Sequence, residues 1–196
     1  MKINDTINEN PRRNASLAAR YDPLTGEGCC GDRRRCGDMW LPAAMLDEHP
    51  GYNGLARIDA DKLRFHYDFE FWAATCATIR DKTTGRNIKF TLNAPQRRLL
   101  AIMERQRQAG KPVRIILLKA RQWGGSTLVQ IYMAWLQIVI HKQWNSMICG
   151  HLRQTSFAVK RIYNTLLRHY PQEYMDEGEK LQFRNFEGSS SVQQLH

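Results

Sequence analysis

The sequence predicts an α/β fold, with helices packed on a sheet, and three features predict it. The apolar run Val113-Arg-Ile-Ile-Leu-Leu118 reads as a strand that enters a glycine-bearing turn. A long apolar helical pattern from Leu128 to Ile140 follows it. A second unit repeats the order, with Ser146-Met-Ile-Cys149 as a short strand and Phe157, Ile162, Tyr163, Leu166, Leu167 and Tyr170 at helical spacing. Such alternation implies a sandwich of helices on a sheet, joined by right-handed crossovers.

From the N-terminus, residues 1–60 read as an irregular arm. Asn10-Pro-Arg-Arg13, Asp22-Pro-Leu-Thr-Gly-Glu-Gly28 and Pro50-Gly-Tyr-Asn-Gly54 are turn formers with little periodicity, and one short helix is expected near Leu41–Leu46. Arg33-Arg34-Arg35 is a charge run, solvated by default or laid on phosphates if the partner is DNA. Cys29, Cys30 and Cys36 invite a zinc reading, but adjacent cysteines lack the usual spacer and no fourth ligand is evident. A mobile loop with reduced thiols is the expectation.

Order is expected to begin near Phe65, and residues 61–196 form the second unit. Phe65-His-Tyr-Asp-Phe-Glu-Phe-Trp72 alternates as an extended segment whose rings fill a core or a subunit contact. Ala77-Thr-Ile-Arg80 and Asn87-Ile-Lys-Phe90 flank Asp81-Lys-Thr-Thr-Gly-Arg86, a β-hairpin signature. Asn93 reads as a helix N-cap with Pro95 in the first turn and Gln96 three residues on; the helix runs to about Ala109 and stops at Gly110 and Pro112. Leu128, Ile131, Tyr132, Trp135, Leu136, Ile138 and Val139 cover most of the next helix's circumference, which predicts burial. Leu181-Gln-Phe-Arg184 and Ser191-Val-Gln-Gln-Leu195 bracket Asn185-Phe-Glu-Gly188 as another hairpin.

The chain has 196 residues, a hydrophobic share of 42% and a net charge of +10. That balance suits one domain with a core and favours a polyanionic partner. No stretch has the ~18 consecutive apolar residues of a membrane span, and Met1-Lys-Ile-Asn-Asp-Thr6 lacks a signal peptide's apolar segment. Five cysteines, an odd number, do not suit a secreted disulfide framework. A cytoplasmic location is expected.

The chemistry concentrates in Lys119-Ala-Arg-Gln-Trp-Gly-Gly-Ser-Thr127. A tight glycine loop between strand and helix is the setting for phosphate binding, because backbone N–H groups and the helix start both present positive partial charge. The usual pattern is G-x-x-x-x-G-K-[ST]. Gly124 and Ser126 hold its sixth and eighth positions, Gly125 stands where the lysine belongs, and Lys119 stands at the front. A loop that curls round a phosphate brings its first and seventh residues to the same anion, so a flexible lysine stem can act from the strand end. Arg121 adds a forked cation, and the Ser126 hydroxyl is placed for Mg²⁺. The plain alternative is a strand-to-helix turn with ordinary glycines.

A lysine-first loop, K-x-x-x-x-G-x-S, with Arg121-Gln122 one residue before Gly124, resembles the deviant Walker A motif of tailed-phage terminase large subunits. Phe90-Thr-Leu-Asn-Ala-Pro-Gln96-Arg-Arg-Leu-Leu100 is similar to the adenine-binding Q motif upstream of it in that family. The resemblance spans roughly residues 69–195 and implies a P-loop NTPase-type three-layer sandwich. It implies ATP and Mg²⁺ as cofactors: Lys119, Arg121, Gly124, Gly125, Ser126 and Thr127 on the phosphates, Ser126 on the metal, and Gln96 on adenine. Double-stranded DNA, a portal protein, a small terminase subunit and a homo-oligomeric ring are the implied partners.

A P-loop ATPase also needs an acid at the end of a second apolar strand. The acids after Gly125 are Glu173, Asp176, Glu177, Glu179 and Glu187, and none ends such a strand. The expectation is therefore a terminase N-terminal part that stops before Walker B and the nuclease residues, with weak or absent nucleotide binding and no DNA cleavage. Two other readings stay open: a remnant of another P-loop enzyme such as a helicase, and a non-enzymatic basic DNA-binding module whose glycine loop is structural.

Overall fold

In the computed structural model the described residues are 20–81, 84–118, 123–142, 145–147, 153–175, 181–184 and 192–195. Strand β1 (Arg33–Cys36) pairs antiparallel with β2 (Met39–Pro42), Arg33 opposite Pro42 and Cys36 opposite Met39. Helix α1 (Ala43–Glu48) follows directly, and a short 3-10 turn at Tyr52–Gly54 leads to α2 (Arg57–Tyr67). Leu41, Met45 and Tyr52 bury together as a small apolar cluster against α2.

Among the described residues, 20–60 are therefore not an irregular arm, and order is present well before Phe65. The reason is charge burial. Arg33 makes two 2.9 Å bonds to the Asp68 carboxylate, and Arg64, one helical turn before Asp68, makes a third. The Cys30 N–H donates to Glu70 at 2.7 Å, and Arg97 donates to the Gly28 carbonyl. The Gly28–Arg33 stretch is thus pinned to the helices, which corrects the mobile-loop expectation. Cys29, Cys30, Cys36 and Cys76 are free thiols, and Cys30 and Cys36 pack against different apolar clusters.

Phe65–Trp72 is helical, not extended. It forms the end of α2 and the start of α3 (Phe69–Cys76), with the Asp68 side chain accepting from the Phe71 N–H as a cap. The rings fit an alternation, but Phe65, Phe69, Trp72 and Cys76 also follow the helical period, and burial of nearly all of α3 decides between the two. The expected hairpin forms as β3 (Thr78–Arg80) and β4 (Asn87–Lys89), with Ile79 opposite Ile88. Helix α4 (Ala94–Gln108) begins and ends where the sequence places it.

Helix α5 (Gly125–Trp135) continues into a π turn at Leu136–Ile140, and both are buried as expected. Trp72, Trp135, Leu128, Ile131, Leu100 and Leu166 form the centre of the main core. Each such side chain contributes about 1.5–3 kcal/mol on burial. Phe69 stands edge-on to Tyr132 and Trp135 at 5.3 and 5.5 Å. The Trp135 indole N–H reaches the Phe65 carbonyl at 2.8 Å, so α5 is locked to α2. Helix α6 (Arg153–Arg168) packs Tyr163 and Leu166 on the same core, and a 3-10 turn at Gln172–Tyr174 follows.

The chain is mixed α/β, but its described strands pair only antiparallel. Strand β5 (Asn145–Met147) pairs with β7 (Val192–Leu195), which also pairs with β6 (Leu181–Arg184), giving the order β5-β7-β6. The β6–β7 hairpin matches expectation. The expected strand at Val113–Leu118 does not form. Arg114 meets only the Gln106 side chain, which accepts from its N–H at 2.8 Å, and Ile116 and Leu118 are fully exposed. A strand needs a ladder partner, and none of the described strands pairs with this run. No helix among the described residues is long and apolar enough to cross a membrane.

Candidate functional site

The loop between Leu118 and α5 was the strongest chemical signal in the sequence. Lys119 and Arg121 lie outside the described residues, whereas Trp123, Gly124, Gly125, Ser126 and Thr127 lie within them. Gly124 is the N-cap of α5 with φ +83°, in the left-handed region that glycine enters without strain. A Cβ there would also stand 2.6 Å from the Gln96 amide nitrogen. At Gly125 a Cβ would stand 2.6 Å from the Trp123 indole, which folds over the helix start. Gly124 is therefore favoured by its backbone conformation and by Gln96, and a side chain at Gly125 would have to displace the Trp123 ring.

Two side chains from the first turn of α4 fasten this loop. The Asn93 amide donates to the Trp123 carbonyl at 3.0 Å, and the Gln96 amide donates to the Gly124 carbonyl at 2.9 Å. Gln96 also closes a capping box: its oxygen accepts from the Asn93 N–H, and its own N–H donates to the Asn93 side chain. Gln96 is buried, with both ends of its amide engaged inside the protein. An adenine edge would have to exchange with these bonds.

The carbonyls of Trp123 and Gly124 are thus drawn toward α4, and the opposite polarity is left at the helix start. A glycine cap brings no side-chain oxygen, so among the described residues the N–H groups of Gly124, Gly125, Ser126 and Thr127 meet no acceptor. Ser126 is exposed, Thr127 half-buried. Four converging donors at a helix N-terminus suit an anion, and an exposed serine hydroxyl beside them suits a hard cation shared with that anion.

The platform under the loop is rigid. Tyr132 of α5 donates to the Glu104 carboxylate of α4 at 2.6 Å, and Arg107 grips the same carboxylate with two 2.8 Å bonds. Burial, and then the Glu104 charge, push the Tyr132 hydroxyl far above its ordinary range, so it stays a donor. Arg107 lies over the Trp135 ring at 5.1 Å. These contacts fix the angle between the two helices whose ends build the loop.

Sequence reasoning placed the glycine turn at the start of α5 and the Asn93–Gln96 cap. It missed the two amide ties, because nothing in the spacing places Gln96 against Gly124. It also missed the buried cluster of Arg33, Arg64, Asp68 and Glu70. The Arg64–Asp68 spacing of one helical turn was the available signal. Glu173, an acid after the loop, pairs with Arg57 at 3.2 Å on the far side of α2, and Asp176, Glu177, Glu179 and Glu187 lie outside the described residues. No group of acids, cysteines and histidines among the described residues is arranged to hold a metal. No protein-family model, curated protein or solved structure matches this chain.

Proposed function

We propose that this chain is the ATP-binding, N-terminal part of a tailed-phage terminase large subunit, and that the loop at 119–127 receives the nucleotide phosphates with Mg²⁺. One observation supports this most: α5 begins on a glycine pair without a side-chain cap, and the Trp123 and Gly124 carbonyls are tied away by Asn93 and Gln96, leaving the first-turn N–H groups for an external anion. Neither Gly124 nor Gly125 brings a side chain into this space. In this reading Lys119 and Arg121 neutralise phosphate charge, Thr127 adds a donor, Ser126 ligates the metal, and Gln96 positions the loop and reads adenine after exchanging a bond. The metal would supply charge neutralisation between phosphates. Double-stranded DNA is the translocated partner; a P-loop three-layer sandwich, a portal, a small subunit and a ring assembly belong to the same proposal.

The test is thermal melting with and without MgATP, for the parent chain and for Lys119→Ala. Weak binding is expected: a Kd on the order of 1 mM corresponds to about 4 kcal/mol, and nucleotide at ~100 times Kd stabilises by about 2.7 kcal/mol. Loss of that shift in Lys119→Ala supports the proposal. An equal shift in both proteins, or none in the parent at saturating nucleotide, sinks it.

The second reading, a basic DNA-binding module with a structural glycine loop, is favoured by the closed hydrogen bonds of Gln96 and by the antiparallel pairing of the described strands. Duplex affinity unchanged by Lys119→Ala, with no nucleotide effect, would select it.

A further inference from the structure

The β3–β4 hairpin, which carries Arg80, Arg86 and Lys89, is bonded to the end of α6, which carries Arg161 and Arg168. Asn87 on β4 donates to His169 Nε2, just past the end of α6, at 3.0 Å, while His169 Nδ1 meets the Thr165 carbonyl at 2.9 Å. This pair of bonds holds the ring in one orientation and joins the hairpin to the helix end. Arg80, Arg86 and Lys89 are exposed on the hairpin, and Arg161 and Arg168 are exposed on α6. The two α6 arginines stand seven residues apart, about 10 Å along one helical stripe.

These five cations meet no carboxylate among the described residues. Arg80 donates to the Gly85 carbonyl and Lys89 to the Thr75 carbonyl, so their stems are held while their charge stays uncancelled. The hairpin's one acid is Asp81, whose carboxylate accepts from the Thr84 N–H and hydroxyl inside the turn. Some exposed arginines elsewhere are neutralised, Arg34 by Asp47 and Arg57 by Asp61 and Glu173, whereas Arg20, Arg35, Arg105 and Arg114 are exposed singly outside this hairpin and helix. An uncompensated cluster on a rigid hairpin and helix is a different object from a scattered basic surface.

We propose that this hairpin-and-helix face is the surface that tracks the phosphate backbone of double-stranded DNA. It rests on the DNA-motor reading above and deepens it by naming the contact surface. A duplex fits the hairpin better than a single strand, because residues 78–89 contain no aromatic ring on which unpaired bases could stack, and on α6 the half-exposed Phe157, one turn before Arg161, offers a single ring and not a row of them. A membrane surface fits poorly, since Ile88 is the one large apolar side chain the hairpin exposes. The contacts are to phosphates, so binding is insensitive to sequence and steeply dependent on salt.

The experiment is fluorescence anisotropy of a labelled duplex titrated at several salt concentrations. Each neutralised phosphate contributes about 0.9 to the slope of log affinity against log salt. Replacing Arg86, Arg161 and Arg168 together by Gln should lower the slope by about 2–3. Replacing Arg20, Arg105 and Lys111 by Gln removes the same charge elsewhere and should lower it by less than ~1. Lysine at the three patch positions should restore the slope, which separates charge from folding. Equal losses in the two neutralised proteins, or tighter binding of a single strand of the same length, overturn the proposal. MgATP melting shifts are recorded on the same proteins. A patch-specific slope without any nucleotide shift would uphold this surface while the ATP reading fell.

Discussion

The amide of Gln96 closes two rings of hydrogen bonds, one within the start of α4 and one across to the start of α5. Gln96→Glu separates them: the oxygen facing the Asn93 N–H survives, but the donor to Gly124 becomes an oxygen facing an oxygen. The expected cost is about 1–3 kcal/mol, together with loss of any MgATP shift. A melt coinciding with the parent's would show that the tie does not hold the loop. Only half of this residue was legible in sequence, because a capping box is local and a tie across 28 residues is not. The buried carboxylates make a second case. Burial would raise Asp68, but Arg33 and Arg64 outweigh it and hold the carboxyl below its ordinary 3.8. Its folded value lies under its unfolded one, so its contribution is complete above about 3.8 and is lost as pH falls through the folded value. Burial raises Glu70 above its ordinary 4.5, so its contribution is present below 4.5 and lost as pH rises through the folded value. Urea melts against pH should show that Glu70→Gln flattens the decline above 4.5 and leaves the acid limb unchanged; a changed acid limb alone would reverse the assignment.

At the scale of elements, helices were easier to read than strands. The α4 boundaries follow from Asn93, Pro95 and Gly110, each acting within one turn of itself. The β3–β4 hairpin is equally local, because its turn carries its own Asp81–Thr84 bonds. Residues 65–72 were misread because eight aromatic-rich residues fit two periods, and the deciding fact was packing against α5. Val113–Leu118 failed for the opposite reason: its composition suits a strand, but a strand exists only with a neighbour. Its exposure carries a prediction. Ile116→Lys with Leu118→Lys should change stability by no more than about 0.5 kcal/mol, as surface positions do, and should reduce aggregation in light scattering, since exposed apolar runs with unpaired backbone associate. A fall in melting temperature of many degrees would show that the two side chains are buried in solution.

For the molecule as a whole, composition and alternation gave the mixed α/β class, and they could not give the sheet. Strand order depends on which edges find each other, and β7 takes the position beside β5 through a hairpin that spacing alone could not connect to it. The basic balance of the chain was visible from a count of residues, whereas which cations are buried and which stay exposed was not. Arg33 shows why: inside the Arg33–Arg35 run it looks like surface charge, yet it is buried against Asp68 and holds the N-terminal ribbon to the helices. Asp68→Asn would leave Arg33 and Arg64 without their anion at a cost of about 3–5 kcal/mol.

Between the Lys89 of the hairpin and the Asn93 of the cap run only three residues, two of them, Phe90 and Leu92, sunk into the core. Such a connection has no slack. It works as a short strut whose ends are bolted, at one side by the β3–β4 ladder and at the other by the amides that grip Trp123 and Gly124. A sub-ångström displacement of the glycine turn must then be absorbed by bending the strut or be delivered to the cationic hairpin at its other end. Backlash, the free play that separates cause from response in a loose linkage, is absent from this one by construction.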